Sequence, residues 1–221
     1  MLYHAFKLLS DSDISTIVVK LMTSSEWRDG VESTAGRGAK SIKKNLQLSH
    51  VSTTYNELKG KVVELLMNEK TTLPVHIYPK KISNLLFSRT SVGMYYGQHV
   101  DEVHISEGRR DYSFTIFLNN PSDYDGGELI LNIPPENKAI KLDAGSIIIY
   151  PTKYLHEVRE VTKGERIVCV GWIESYIKRD DEREMLACIR VAMEIATNNA
   201  NGKKIPEFNL IYQRLKKHFG D

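Results

Sequence analysis

Asn84 to Asp101 reads NLLFSRTSVGMYYGQHVD, two short runs rich in aliphatic and aromatic residues, Asn84 to Thr90 and Met94 to Val100, the second closing on a histidine and leading to an aspartate. Short runs of this kind, bounded by turn residues, are the sequence pattern of β-strands. The pattern continues downstream in Ser113 to Leu118, Glu128 to Asn132, Ala139 to Leu142, Ser146 to Tyr150, His156 to Val161 and Ile167 to Ile173. Between these runs stand Asn120-Pro121, Asp125-Gly126-Gly127, Pro134-Pro135, Ala144-Gly145 and Lys163-Gly164, each a turn signal. Strands that follow one another without intervening helices predict a mainly β fold, an antiparallel sandwich or barrel, for which a jelly roll is a standard solution.

Helical patterns flank this region. Ser10 onward, SDSDISTIVVKLM, places Ile14, Ile17, Val18 and Leu21 at helical spacing after a polar cap, and Thr53 to Asn68 repeats the pattern with Leu58, Val62, Leu65 and Leu66. Between them, Gly30 to Lys44 is glycine-rich, polar and basic, and is expected to be a mobile or substrate-facing loop. After Arg179 helical spacing returns, with Met185, Ile189, Ala192, Met193 and Ala196 on one face. Pro206 then opens a last helix with Leu210, Ile211, Leu215 and Phe219 as its apolar side. The expected organisation is one domain over residues 1–178, its β region at 84–178, and a helical appendage over 179–221 that offers an oligomer interface.

The 221 residues carry 41% hydrophobic and 26% charged side chains, enough for one sizeable core. Thirty Lys and Arg against 28 Asp and Glu leave a net charge of +2, which gives no electrostatic reason to expect a nucleic acid or membrane partner. The N-terminus lacks the long apolar core of a signal peptide, and no apolar run reaches membrane-span length. Cys169 and Cys188 lack zinc-clip or redox-pair spacing and are expected to be buried thiols, so the expected location is cytoplasmic.

His99 and Asp101 are two apart at the end of an expected strand, where alternate side chains share a face about 7 Å apart. A third ligand from a distant strand would complete a two-histidine, one-carboxylate set that leaves positions open on iron(II), and His156, after the run SIIIY, is the best candidate. An H-x-D by itself is a weak signal. It gains weight from Arg166, ten residues beyond His156 at the start of another strand, because an arginine there can pair bidentately with one end of a small diacid whose other end reaches the metal. Strand alternation puts Tyr95, rather than Tyr96, on the face of His99 and Asp101, which makes Tyr95 the candidate to touch the cosubstrate. The pairs Lys43-Lys44 and Arg109-Arg110 and the lone His104 are expected at the solvated surface.

The stretches KNLQLS (Lys44 to Ser49), MYYGQHVD (Met94 to Asp101), TIFLNNPSDYDGGEL (Thr115 to Leu129), LDAGSIIIYPTKYLHEV (Leu142 to Val158) and GERIVCVGWIES (Gly164 to Ser175) resemble the iron(II)/2-oxoglutarate oxygenase superfamily. The similarity is to its PKHD-type hydroxylase branch, related to prolyl 4-hydroxylases. That resemblance implies a double-stranded β-helix, the jelly-roll variant with the metal at its open mouth. It assigns His99, Asp101 and His156 to iron and Arg166 to the distal carboxylate of 2-oxoglutarate. It further implies molecular oxygen as co-reactant, succinate and carbon dioxide as products, ascorbate as an accessory cofactor, and hydroxylation of an sp³ carbon in a peptidyl or free amino acid such as proline.

Two departures from the family stand out. Thr90 occupies the position, nine residues before His99, where relatives often carry tyrosine, leaving Tyr95 or Tyr96 to compensate, and the loop from Asp101 to Tyr112 is short. Two other readings of the same residues are a zinc hydrolase, since the donor set also suits catalytic zinc, and a jelly-roll binding module without turnover. A water-activating zinc site has no use for a diacid clamp at Arg166.

Overall fold

A computed structural model of the chain describes residues 3–33, 42–199, 202–203 and 205–220. Two antiparallel sheets face each other. The larger runs in the order His4–Lys7, Ser146–Pro151, Tyr112–Phe117, Val161–Ser175, Pro79–Ser91, Leu46–Leu48 and Trp27–Asp29, with Tyr124–Gly126 also pairing with Val161–Ser175. The smaller runs Glu136–Ile140, Leu129–Ile133, His156–Val158, Tyr95–His99 and Lys43–Lys44. This is the expected jelly roll with flanking helices.

Alternation along the strands of the larger sheet decides what each face does. Leu85 and Phe87, Phe114 and Ile116, Ile147 and Ile149, and Ile167 and Cys169 point outward into a core with Ile17 and Leu21 of helix Asp11–Thr23 and Leu58, Val62 and Leu66 of helix Thr53–Asn68. Their neighbours Phe117, Ile148, Tyr150 and Val168 point inward and pack against Leu129, Leu131, Ile133 and Ile140 of the facing sheet. A sheet buried on both sides needs apolar residues at consecutive positions, which is why Ser146–Pro151 reads SIIIYP. The helix expected from Ser10 starts there with a capping box, Ser10 receiving the Asp13 amide and the Asp13 carboxylate receiving that of Ser10.

All eight expected strands are present, but two are longer than their apolar runs. Val161–Ser175 and Pro79–Ser91 pair from Glu165 opposite Ser91 to Ser175 opposite Pro79, and the exposed Lys163, beyond that ladder, pairs instead with Asp125 of Tyr124–Gly126. Three further corrections concern the ends of the chain. Residues 34–41 of the Gly30 to Lys44 loop lie outside the described residues, but Lys43 and Lys44 form a strand beside Tyr95 and Tyr96, with Lys43 buried. Ile189, Met193, Leu215 and Phe219 pack as expected, but Met185, Leu210 and Ile211 are exposed, and the helices Asp180–Asn199 and Pro206–Phe219 instead bury Leu186 and Tyr212 against Tyr78 and Ile177. Cys169 is buried as expected, whereas Cys188 is exposed on the outer side of its helix. Among the described residues no helix is long and apolar enough to cross a membrane.

Candidate active site

The antiparallel register between Tyr95–His99 and His156–Val158 sets His99 directly opposite His156. Two histidines 57 positions apart in number therefore stand side by side, their ring centroids 4.2 Å apart, and Asp101 turns in beside them. Nε2 of His99 is 3.6 Å from Asp101 Oδ1, and Nε2 of His156 is 3.7 Å from Asp101 Oδ2. All three ligand atoms lie within 4.8 Å of one another, the only such group of three His, Cys, Asp or Glu side chains among the described residues.

Each side chain is held from behind. His99 Nδ1 is 2.8 Å from the Gly97 carbonyl and His156 Nδ1 is 2.9 Å from the Tyr154 carbonyl. A carbonyl only accepts, so both Nδ1 atoms carry the proton and both Nε2 lone pairs face the cluster. Asp101 Oδ2 accepts from Ser113 Oγ at 2.7 Å and from Trp172 Nε1 at 2.9 Å, which leaves Oδ1 for a ligand. Burial alone would raise the Asp101 carboxyl, but the adjacent His99 and His156 side chains and the Ser113 hydroxyl outweigh burial and hold it well below the usual carboxylate range. Burial lowers His156, keeping its imidazole neutral and able to donate a lone pair.

The expectation for the two tyrosines is half overturned. Tyr95 lines the cavity, yet it is Tyr96 whose ring stacks on His99, with centroids 3.7 Å apart and planes at 15°. The register explains it. His156 pairs with His99 while Val158 pairs with Tyr96, so the strand Tyr95–His99 carries one extra residue there. Such a bulge reverses side-chain parity and brings Tyr96 to the face of His99.

The triad opens into a cavity of about 1000 Å³ between the sheets, and Arg166 lines it too. Arg166 is 3% exposed and its Nε has no hydrogen-bond partner. The surface ion pair that its neighbours might have offered is taken, because Glu165 binds Arg89 at 2.7 Å and 3.0 Å. A buried guanidinium without a carboxylate is costly, and an anionic ligand would relieve that cost. Thr90 is its cross-strand neighbour, and the phenols of Tyr124 and Tyr150 stand beside Arg166. Gly127, at φ +67°, lies beneath the same side chain, since a Cβ there would stand 3.1 Å from Arg166 Cδ and 3.1 Å from a Tyr124 ring carbon.

Residues that sequence reasoning left at the surface, or passed over, also reach this cavity. Lys43 projects into it, donates to Ser33 Oγ at 2.9 Å, and lies 5.0 Å from the Tyr96 ring centroid. Burial pushes its ammonium down to about 8 against the pull of Asp101 and Asp29. Arg110 stacks on Trp172 at 4.0 Å. Trp172 shares a strand face with Arg166, Val168 and Val170, so one strand lines the cavity from the guanidinium to the Asp101 support. Arg109 turns the other way, with a hydrogen bond to the Ser175 carbonyl at 3.0 Å, and His104 is exposed as expected.

Two imidazole nitrogens and one carboxylate oxygen, with a buried arginine whose Nε is unpartnered in the same chamber, fit an iron(II) centre that takes a diacid. The sequence profile of the 2OG-Fe(II) oxygenase superfamily matches residues 85–174. A PKHD-type hydroxylase of Prochlorococcus marinus is 40% identical over 93% of this chain and 92% of its own length. Among solved structures, a Pseudomonas putida prolyl-4-hydroxylase aligns with a TM-score of 0.57 at 16% identity, covering 78% of this chain and 92% of that one. A Trichoplax adhaerens prolyl hydroxylase in complex with a peptide fragment of the hypoxia inducible factor oxygen degradation domain aligns with a TM-score of 0.57 at 13% identity, covering 84% and 86%. Sequence similarity over nearly the whole chain, on this fold, establishes that the protein belongs to the PKHD-type hydroxylases of the 2OG-Fe(II) oxygenase superfamily, enzymes dependent on iron(II), 2-oxoglutarate and oxygen.

Proposed function

We propose that iron(II) is held by Nε2 of His99, Nε2 of His156 and Oδ1 of Asp101, and that Arg166 receives the distal carboxylate of 2-oxoglutarate. The observation that carries this reading is the buried Arg166, its Nε without a hydrogen-bond partner and no carboxylate bound to it among the described residues, in the same cavity as three convergent ligand atoms. Bound iron(II) and 2-oxoglutarate supply the oxygen-activating chemistry, and 2-oxoglutarate leaves as succinate and carbon dioxide. The chain's own residues do the rest. The Gly97 and Tyr154 carbonyls fix the two histidine tautomers, and Ser113 and Trp172 fix the carboxylate. Leu86, Leu129, Val158 and Val168 wall the chamber with apolar surface that limits water. Tyr96 restrains the His99 ring by stacking, and Tyr95 lines the cavity as a contact for cosubstrate or substrate.

The substrate is proposed to be a peptidyl or free amino acid hydroxylated at an sp³ carbon. Support comes from the relative named as a hydroxylase and the structural neighbour that holds a peptide fragment. Anaerobic titration of the purified protein with iron(II) and then 2-oxoglutarate tests the site. The visible charge-transfer absorption of the iron(II)-2-oxoglutarate chelate is expected in the wild type and absent in His156→Ala and Asp101→Ala. Its persistence in those variants would refute the assignment.

A further inference from the structure

Arg183, in the first turn of helix Asp180–Asn199, is buried and does not line the cavity, so nothing in the site reading above uses it. Its guanidinium is nevertheless held on every side. Nη1 donates to the Ile177 and Lys178 carbonyls, Nη2 to the Asp180 carboxylate, and Nε to the Tyr112 hydroxyl at 3.0 Å. Tyr112 and Ser113 are the first two residues of strand Tyr112–Phe117, and consecutive strand residues point to opposite faces. Tyr112 therefore meets Arg183 on the outer face, while Ser113 turns inward and donates to Asp101 Oδ2 at 2.7 Å.

The other side of Ser113 is tied to the same helix turn. Ser113 Oγ is 3.2 Å from Thr152 Oγ1. A hydroxyl has one proton and the carboxylate is the stronger acceptor, so Ser113 donates to Asp101 and receives from Thr152. Thr152 is buried, its amide donates to the Asp111 carbonyl at 3.1 Å, and the next residue, Lys153, reaches Asp180 at 2.6 Å. That ion pair is exposed and contributes little, whereas the Arg183–Tyr112 bond is buried and charge-assisted.

We propose that Arg183 is a positioning residue for the metal centre, fixing Tyr112 and, through the shared strand, the Ser113 hydroxyl that orients Asp101. This rests on the assignment of Asp101 to iron above. Tyr112 opens its strand, where a chain is least restrained by its own ladder. A buried bond to a guanidinium that four acceptors hold in place removes the rotation that would swing Ser113 off the carboxylate. Docking of the helix and binding of the metal then favour each other, since both stabilise one arrangement of Tyr112 and Ser113.

Calorimetric titration of the full-length protein with manganese(II), well below its unfolding temperature, tests this in Arg183→Met, Tyr112→Phe and Ser113→Ala. Arg183→Met and Tyr112→Phe should each weaken manganese binding about fivefold, less than removal of a group that touches a metal ligand directly. Arg183→Lys, which keeps the charge beside the Tyr112 hydroxyl, should recover part of the loss. The decisive comparison is a double variant. With Ser113→Ala in place, adding Tyr112→Phe should cost no further affinity, because the hydroxyl through which it acts is gone. Tyr112→Phe removes a single hydroxyl and carries the test even where Arg183→Met fails to fold. Wild-type affinity in Tyr112→Phe, or a loss that adds in full to that of Ser113→Ala, would overturn the proposal and leave Arg183 as an anchor of the helix only. Failure of the underlying site reading has a different signature. Manganese would then bind no better to the wild type than to Asp101→Ala.

Discussion

Trp172 donates its indole N–H to Asp101 Oδ2 at 2.9 Å, the same oxygen that accepts from Ser113 Oγ at 2.7 Å. Two donors on one oxygen leave the other to face the His99 and His156 nitrogens. Trp172→Phe keeps the ring and removes the donor, and Ser113→Ala removes the other. Each is expected to weaken iron(II) binding about tenfold, as loss of a group that orients a metal ligand does, while circular dichroism remains that of the wild type. Calorimetric titration with manganese(II) as a stand-in metal checks this, and unchanged affinity in both variants would show that the carboxylate needs no such support.

Arg166→Ala should raise the dissociation constant for 2-oxoglutarate about 100-fold, because it leaves a buried carboxylate without its partner. Metal binding should hardly move, since Arg166 touches none of the three ligands. Arg166→Lys should recover part of the loss. Calorimetry on the manganese-loaded protein separates the two affinities, and a parallel loss of metal binding would argue for a structural role instead.

Gly127→Ala places a methyl 3.1 Å from both Arg166 Cδ and a Tyr124 ring carbon, at a backbone φ of +67°. The strained backbone should cost about 1–2 kcal/mol of stability, read from urea unfolding. Displacement of Arg166 should in addition weaken 2-oxoglutarate binding. Gly202→Ala, at φ +81° with nothing among the described residues within 4 Å of the added methyl, is the control, expected to cost stability without touching cosubstrate affinity.

His4 and His76 stack with centroids 4.8 Å apart. Burial first, and then the neighbouring His76 charge, push His4 down from 6.5 to about 4, and burial also lowers His76. A folded-state pKa below the unfolded one means that protonation favours the unfolded chain. The contribution is fully present above pH 6.5 and is lost as pH falls toward about 4. After discounting for solvent screening, the loss from His4 over this window should be about 1–2 kcal/mol. His4→Gln should flatten the fall in thermal stability across that range, and an unchanged profile would show that the stack does not titrate with folding.

The strands and the metal-ligand candidates were legible because they depend on local pattern. Short apolar runs between turn residues located eight strands of the jelly roll and missed short ones such as His4–Lys7 and Leu46–Leu48, and H-x-D with His156 and Arg166 at their spacings pointed to one chamber. What sequence missed depends on pairing. One extra residue in Tyr95–His99 moved Tyr96 onto His99, and no pattern in GMYYGQHV announces a bulge. Lys43 sits in a polar, basic stretch that reads as loop, and only its pairing with Tyr96 reveals a strand and a buried amine. Trp172 read as one more apolar strand residue. Its role follows from parity with Arg166 on a strand whose other end passes beside Asp101. At the C-terminal helices Ile189, Met193, Leu215 and Phe219 lie on the packed side as expected, whereas Met185, Leu210 and Ile211 are exposed and Leu186 and Tyr212 are buried instead, because docking on Tyr78 rather than periodicity alone selects the buried side.

The most direct test of the iron and 2-oxoglutarate chemistry is succinate formed from 2-oxoglutarate under oxygen with iron(II), measured for the wild type, His99→Ala, Asp101→Ala, His156→Ala and Arg166→Ala. The expected result is succinate from the wild type, none above background from the three ligand variants, and recovery of Arg166→Ala only at high 2-oxoglutarate. Succinate formation that survives loss of any two of His99, Asp101 and His156, or none from the iron-loaded wild type, would contradict the assignment of the site.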